Sequence, residues 1–233
     1  MLIAVAVTAH VALGAARVTT ALYALSLHAS EFTVGTLIAL FAVFPMFLAV
    51  PMGRVIDRIG VRRPLMAGCA LASVGVTLAA TIPGLGILYL ASVLTGTGFM
   101  AIFIGTQHAV GTLAPPDQRA ASFSRLSLGF SVSAFAGPLI AGFAIDHADY
   151  SVAYLICGAF TLTALALGTS GALRDLPLHS TPKSARKGSA LQMLLDPEMR
   201  RIYIVGILLA AAWRSGSVDL NRHTPIDKCD GVG

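Results

Sequence analysis

The sequence has little charge. Only 12% of its 233 residues are Asp, Glu, Lys or Arg, whereas 56% are apolar. A soluble domain carries about 25% charged residues, so this chain has too little charge to cover a surface that faces water. A lipid-facing surface needs almost none, and the deficit therefore predicts an integral membrane protein. The net charge of +5 does not indicate nucleic-acid binding, because the basic residues lie in short clusters between apolar runs.

Cysteines and catalytic motifs are scarce as well. Cys69, Cys157 and Cys229 lie far apart, without the spacing of a disulfide framework or a metal site. The sequence has no dinucleotide or nucleotide-phosphate loop, and no cluster of Ser and His or of paired Asp inside an apolar run. These absences predict no cofactor, no metal and no enzymatic activity.

The sequence is rich in long apolar runs. A membrane-spanning helix needs about 20 mostly apolar residues, and inside lipid its backbone hydrogen bonds must be made within the segment. The first run lacks a basic leader and is too long for a signal peptide, so it counts as a span. Residues 1–173 are therefore predicted to form an all-α integral membrane domain, a six-helix transmembrane bundle. The six predicted spans are 3–27, 32–51, 65–82, 86–112, 126–145 and 152–173.

The basic residues between the spans predict the orientation of the bundle. They follow only the even-numbered spans, and the loops 28–31, 83–85 and 146–151 contain neither Lys nor Arg. Because basic loops stay in the cytoplasm, we expect a multi-pass protein with a cytoplasmic N-terminus, in a bacterial inner membrane. The basic residues are Arg54, Arg58, Arg62, Arg63, Arg119, Arg125, Arg174, Lys183, Arg186, Lys187, Arg200 and Arg201.

Segment 53–64, after the second span, carries the most specific motif. Gly53 predicts a close approach of two helices, and Gly60 predicts a backbone with positive φ where the chain reverses. Asp57 can accept hydrogen bonds from a helix N-terminus or pair with an arginine. Any cytoplasmic loop is rich in arginine, but that does not explain an acid between spaced glycines. The motif residues are Gly53, Asp57, Arg58, Gly60, Arg62 and Arg63.

The fifth span carries small residues at intervals of four. Such a ridge lets another helix pack at close range, and Pro138 removes one backbone hydrogen bond and allows a bend. The residues of this helix-five motif are Gly129, Ser133, Gly137, Pro138, Ala141 and Gly142.

Segment 53–63 resembles the hallmark loop of the major facilitator superfamily of secondary transporters, G-x-x-x-D-R-x-G-x-R-R. The resemblance implies the N-terminal half of that fold and secondary active transport of a small molecule. It also implies a gating role for Asp57 and Arg58, which bias the inward/outward equilibrium without touching substrate. The fifth span is similar to the family's antiporter motif, g-x-x-x-G-P-x-x-G-G, with Ser133 and Ala141 in place of glycines. This similarity favours export over import.

A short internal repeat supports the same architecture. Residues 53–57 and 142–146 share the pattern G-x-x-I-D and end the second and fifth spans, on opposite membrane faces. An inverted repeat of three plus three helices in each half of such a transporter predicts this arrangement.

Polar side chains inside spans are costly and therefore indicate function. Arg17 lies near the middle of the first span, and two interpretations stay open. In the first, Arg17 faces a water-filled cavity and holds an anionic or acceptor-rich substrate. In the second, its side chain snorkels to the membrane surface or pairs with an acid in another helix. His10, Gln107 and His108 are further cavity candidates, and a histidine can titrate near neutral pH and serve proton coupling.

The fourth span departs from the family pattern. Many proton-coupled exporters of the superfamily carry an arginine there, before a Gln-Gly pair. In this sequence Ser92 stands at the position of that arginine. Thr95 stands at the position of the glutamine, directly before Gly96. This departure argues against proton antiport; a proton stays one candidate, and the identity of the coupling ion stays open.

The C-terminal region changes character. Residues 174–200 predict a basic cytoplasmic linker and residues 201–213 an incomplete seventh helix. Residues 214–233 predict a polar tail, and the hypothesis is that this tail is non-native, as in a truncated or frame-shifted product. Alternating access needs two halves around one site. The expected partners are therefore the lipid bilayer, a small-molecule substrate, and a homodimer or second transporter half. The alternative function is a non-transporting membrane scaffold or a half-transporter subunit.

Overall fold

The computed structural model describes residues 2–169 and 204–205. The chain divides into two compact units, Met1–Thr181 and Pro182–Gly233. Within the second unit only Ile204 and Val205 are described, and both are helical. The predicted linker 174–200, the tail 214–233 and the rest of the seventh run 201–213 lie outside the described residues.

The first unit consists of six α-helices, and each is long and apolar enough to span a membrane. No strand occurs within the described residues. The prediction of an all-α bundle with six spans is therefore confirmed. The helices are α1 Leu2–Ser26, α2 Glu31–Ile59, α3 Arg62–Thr81, α4 Leu85–Leu113, α5 Arg119–His147 and α6 Tyr150–Thr169.

Two predicted helix ends were wrong. α2 runs to Ile59 instead of ending at 51, and it stays helical through Pro45 and Pro51. α5 begins at Arg119 rather than at 126. Hydropathy marks where a helix leaves the hydrocarbon, whereas the helix itself can continue into the polar headgroup region, which begins where the hydrocarbon core of about 30 Å ends.

Side chains in the short turns cap the N-termini of two helices. Ser30 precedes α2, and its hydroxyl oxygen accepts a hydrogen bond from the backbone N–H of Thr33 at 3.2 Å. Asp149 precedes α6 and accepts from the N–H of Val152 at 2.7 Å. Such side chains satisfy backbone donors that the first turn of a helix leaves unpaired.

The pattern of helix packing has the symmetry of an inverted repeat. α1 packs on α5 as α4 packs on α2, and α1 packs on α6 as α4 packs on α3. α3 also packs on α6 and α1 on α4, each helix thus meeting its own counterpart. Exchanging α1–α3 with α4–α6 leaves this set of neighbours unchanged. The fold is therefore the 3+3 arrangement expected of a transporter half.

Glycines set the close contact between α3 and α4. A Cβ atom on Gly68 would lie 2.5 Å from the carbonyl oxygen of Gly98, and one on Gly98 would meet the backbone nitrogen of Ala72 at 2.7 Å. Only hydrogen fits at these positions, so the two backbones approach as small residues allow in membrane bundles.

A buried hydrogen bond joins α1 to α6. The hydroxyls of Thr20 and Tyr154 lie 2.8 Å apart, and each residue is only 2% exposed.

We expect Tyr154→Phe to lower the free energy of unfolding by about 0.5–1.5 kcal/mol, or roughly 2–4 °C in melting temperature. Thermal unfolding of purified protein in detergent checks this. Tyr89→Phe is the control, since the hydroxyl of Tyr89 has no hydrogen-bond partner among the described residues; equal shifts for both variants would contradict the prediction.

Candidate functional site

The small residues of α5 form the contact with α1. Ser133 is fully buried, and its hydroxyl donates to the carbonyl oxygen of Val7 at 3.1 Å. A Cβ atom on Gly137 would lie 2.7 Å from the carbonyl oxygen of Val11 and 2.9 Å from the nitrogen of Ala15. The helices therefore meet backbone to backbone at this level. Residues four apart lie on one helix face, here Gly129, Ser133, Gly137 and Ala141.

Two further members of the helix-five motif have different surroundings. Pro138 packs beside α1, where its Cδ lies 3.5 Å from the position of a Cβ on Gly14. Within the described helices Gly142 has no neighbour within 4 Å of its own Cβ position. It is five residues from Gly137 and so points to another face of α5. Gly142 is therefore not part of the contact with α1, and its predicted role in helix packing stays a prediction.

The motif of segment 53–63 lies on two helix ends rather than in a loop. Gly53, Asp57 and Arg58 belong to α2, and Arg62 and Arg63 open α3.

Gly60 and Val61 alone connect α2 to α3. Gly60 has a φ of +79°, a backbone that favours glycine, and its N–H donates to the carbonyl of Ile56 at 2.9 Å. Among the described residues Gly53 has no neighbour within 4 Å of its Cβ position, so the six-helix unit itself makes no close approach there and the expected one stays a prediction.

A contact between an acid and a histidine joins this segment to α4. Asp57 Oδ1 lies 3.3 Å from Nε2 of His108, and the two side chains are 66% and 26% exposed. The contact holds the end of α2 against α4 at the end of the bundle that carries Arg54 to Arg63 and Arg119, here called the basic end. His108, considered for the substrate cavity on sequence grounds, thus lies next to the gating motif.

Deeper in the bundle, a histidine lies among phenylalanines. The ring of His10 on α1 lies 5.2 Å from that of Phe99 on α4 and 4.8 Å from that of Phe130 on α5, measured between centroids. Phe103 stacks on Phe130 at 5.5 Å and lies 6.2 Å from Phe99. These four residues are called the aromatic cluster. Nδ1 of His10 is buried without a hydrogen-bond partner in the described part of the chain.

Arg17 lies two turns along α1 from His10, on the same side of the helix. Its guanidinium carbon is 5.7 Å from the centroid of the Phe41 ring on α2, within cation–π range. Nε of Arg17 is buried without a hydrogen-bond partner, and within residues 2–169 no carboxylate lies within 4 Å of the guanidinium. The acid partner considered from the sequence is therefore not found in the six-helix unit.

The remaining polar residues of α4 differ in their surroundings. Gln107 is half-buried and makes no side-chain hydrogen bond in the described part of the chain. Ser92 is fully buried and donates to the carbonyl of Leu88 at 2.7 Å. Thr95 packs against Gly75 of α3. The register at which the family's exporters carry an arginine thus serves helix packing here.

The phenylalanines could not be singled out from the sequence. A phenylalanine in an apolar span is ordinary, and only the spacing of Phe99 and Phe103, which places both on one face of α4, signals a shared role. The cluster arises from three helices, so its membership depends on how they pack.

A comparison with known families agrees with this geometry. The sequence profile described as Major Facilitator Superfamily matches residues 2–225. The chain belongs to the major facilitator superfamily. This membership makes it a multi-pass integral membrane protein of a transporter family rather than of an enzyme family.

Curated superfamily members of similar sequence come from bacteria. The chain is 30% identical over 190 residues to the tetracycline resistance protein, class C, of Escherichia coli, which covers 77% of this chain and 48% of that protein. It is 31% identical over 189 residues to the class D protein of Salmonella ordonez, covering 77% and 47%. The chain thus spans about half the length of the curated relatives that it matches.

Solved transporter structures share the fold. A peptide transporter POT in complex with sulfate aligns with a TM-score of 0.69 at 19% identity, over 91% of this chain and 46% of that chain. A POT family transporter in complex with 5-aminolevulinic acid aligns with a TM-score of 0.70 at 17% identity, over 96% and 46%. At this identity the likeness concerns the superfamily fold alone.

Proposed function

We propose that this superfamily member forms one half of a secondary transporter that exports a small molecule by alternating access. The observation that carries the proposal is Arg17, a cation at mid-span whose Nε has no hydrogen-bond partner within the described helices. A charge at that depth is costly unless it serves a polar pathway or ligand. The inverted repeat supports a transporter half, because transporters of this architecture place their site between such repeats.

The side chains around Arg17 favour a particular kind of substrate. A guanidinium is a planar donor that suits carboxylate, phosphate or other acceptor-rich groups. The aromatic cluster offers rings against which a flat, unsaturated group can stack. The proposed substrate therefore combines a planar ring system with an anionic or acceptor-rich group.

The direction of transport rests on two kinds of support. Two relatives are named as tetracycline resistance proteins, and a transporter protects a cell from a drug by removing it. The small-residue contact between α5 and α1 agrees with the antiporter motif of the superfamily. Both support export.

The distribution of arginines supports the orientation. Within residues 2–169, every arginine except Arg17 lies near the basic end of the bundle, and basic ends remain cytoplasmic. The proposal therefore places the N-terminus in the cytoplasm of a bacterium. A proton is the proposed coupling ion, with His10 and His108 as the candidate carriers.

Alternating access also requires a second six-helix unit. α2 and α5 are counterparts in the repeat. They are the least buried of the six helices. Exposed phenylalanines line them, including Phe47 at 70% and Phe135 at 74%. These faces suit a second copy of this chain or another transporter half.

Drug accumulation in cells tests the proposal. Tetracycline accumulation is measured by fluorescence in drug-sensitive bacteria that express the 233-residue chain, its Arg17→Gln variant or neither. We expect the chain to lower accumulation and Arg17→Gln to lose about 2–3 kcal/mol of charge-assisted binding, or at least tenfold in transport rate. Arg125→Gln is the matched control, since Arg125 is exposed near the basic end.

The outcomes separate the two functions considered. Accumulation equal to that of cells without the chain, at verified membrane expression, would overturn transport of tetracycline by this chain and favour the scaffold or partner-dependent subunit. Equal activity of Arg17→Gln and Arg125→Gln would overturn the role of Arg17 in the site.

A further inference from the structure

A groove opens between α2 and α3 at the basic end of the bundle. The two helices follow each other in sequence but hardly touch, because α2 packs on α4 instead. The space between them encloses about 260 Å³ and has an almost wholly apolar lining. The apolar side chains that define this α2–α3 groove are Met52, Val55, Ile59, Ala67, Leu71 and Ala101.

One charged side chain, Arg63, also lines the groove. It lies on the first turn of α3 and is exposed. From Arg63 to Leu71 the helix rises about 12 Å at 1.5 Å per residue. The groove therefore runs from the charged membrane interface into the hydrocarbon, with its cation at the interfacial end.

An apolar groove with a cation at its interfacial end matches one kind of ligand. The hydrocarbon core of a bilayer contains no water, so an apolar groove that opens into it is filled by an acyl chain. A cation at the mouth of the groove stands at the level of lipid phosphates and attracts an anionic headgroup. Asp57 does not oppose this, because its carboxylate is directed to His108 on α4 and is not among the groove residues.

We infer that the α2–α3 groove binds an anionic phospholipid, with one acyl chain between the helices and the phosphate at Arg63. The bound lipid fills the gap between α2 and α3 and so supports the short Gly60–Val61 connection. The inference does not rest on the proposed transport function.

Native mass spectrometry of the purified chain tests the inference. Delipidated protein in detergent is titrated with dioleoylphosphatidylglycerol, which is anionic, or with dioleoylphosphatidylcholine, which is zwitterionic. A basic residue near anionic lipid is expected to favour the anionic lipid about fivefold. Arg63→Gln should abolish this preference, and Arg125→Gln, which removes an exposed arginine of α5, should leave it intact.

A second variant tests the apolar part of the site. Ala67 is exposed and lines the groove, so Ala67→Phe should fill the groove and lower the binding of both lipids. Equal binding of the two lipids by the unmodified chain, or a preference that survives Arg63→Gln, would overturn the headgroup contact. Unchanged binding of both lipids by Ala67→Phe, at an unchanged melting temperature, would overturn the groove as the place of the acyl chain. If Ala67→Phe unfolds, Arg63→Gln still decides the inference.

Discussion

Replacing Gly137 with valine is expected to destabilise the bundle more than any other single change proposed for this protein. A Cβ atom at this position would lie 2.7 Å from the carbonyl oxygen of Val11 and 2.9 Å from the nitrogen of Ala15. Both neighbours are backbone atoms of α1, so relief requires the two helices to separate. Overpacking of this kind costs about 1–3 kcal/mol and sometimes more, which corresponds to roughly 5–10 °C in melting temperature.

Gly142 provides the matched control for this prediction. It lies on the same helix and has no atom of residues 2–169 within 4 Å of its Cβ position, so Gly142→Val keeps the change in helix propensity and omits the clash. Thermal unfolding in detergent should place Gly137→Ala between the unmodified chain and Gly137→Val. Equal melting temperatures of the two valine variants would show that α1 and α5 do not meet at Gly137.

The fold was largely predictable because membrane spans leave a strong signal in the sequence. About 20 apolar residues are needed per span, and turn sequences separate the runs here without ambiguity. The ends of α2 and α5 were not predictable from hydropathy. Arg54, Asp57 and Arg58 are polar and yet helical, because a helix that has left the hydrocarbon can satisfy its side chains in water.

The candidate site was only partly predictable. Arg17 was visible because a charge at mid-span is rare, and Ser133 and Gly137 because they repeat at intervals of four. The aromatic cluster was not, since its members come from different helices. Gly53 and Gly142 have no close neighbour within the described helices for a common reason: a glycine pattern shows where a close approach is possible, and only the packing of neighbouring helices decides whether one occurs.

Substituting Asp57 with asparagine is expected to lower transport by up to about fivefold while leaving stability nearly unchanged. The side chain of Asp57 is 66% exposed and that of His108 is 26% exposed, and exposed charge pairs contribute about 0–1 kcal/mol to stability. The same contact joins α2 to α4 and would have to change if the helices move during alternating access. A contribution of about 1 kcal/mol to one of two conformations shifts their populations about fivefold. Tetracycline accumulation and melting temperature, measured on the same preparations, check the two parts of this prediction.

Asp146 and His108 supply the controls for the Asp57 variant. Asp146 closes the second copy of the G-x-x-I-D pattern, is exposed, and forms no ion pair within the described helices. Asp146→Asn should therefore leave transport near that of the unmodified chain. His108→Gln removes the other partner, and because partners of one contact are not additive, the double variant should transport as well as the poorer single variant. Additive losses, or an equal loss for Asp146→Asn, would mean that Asp57 acts other than through its contact with His108.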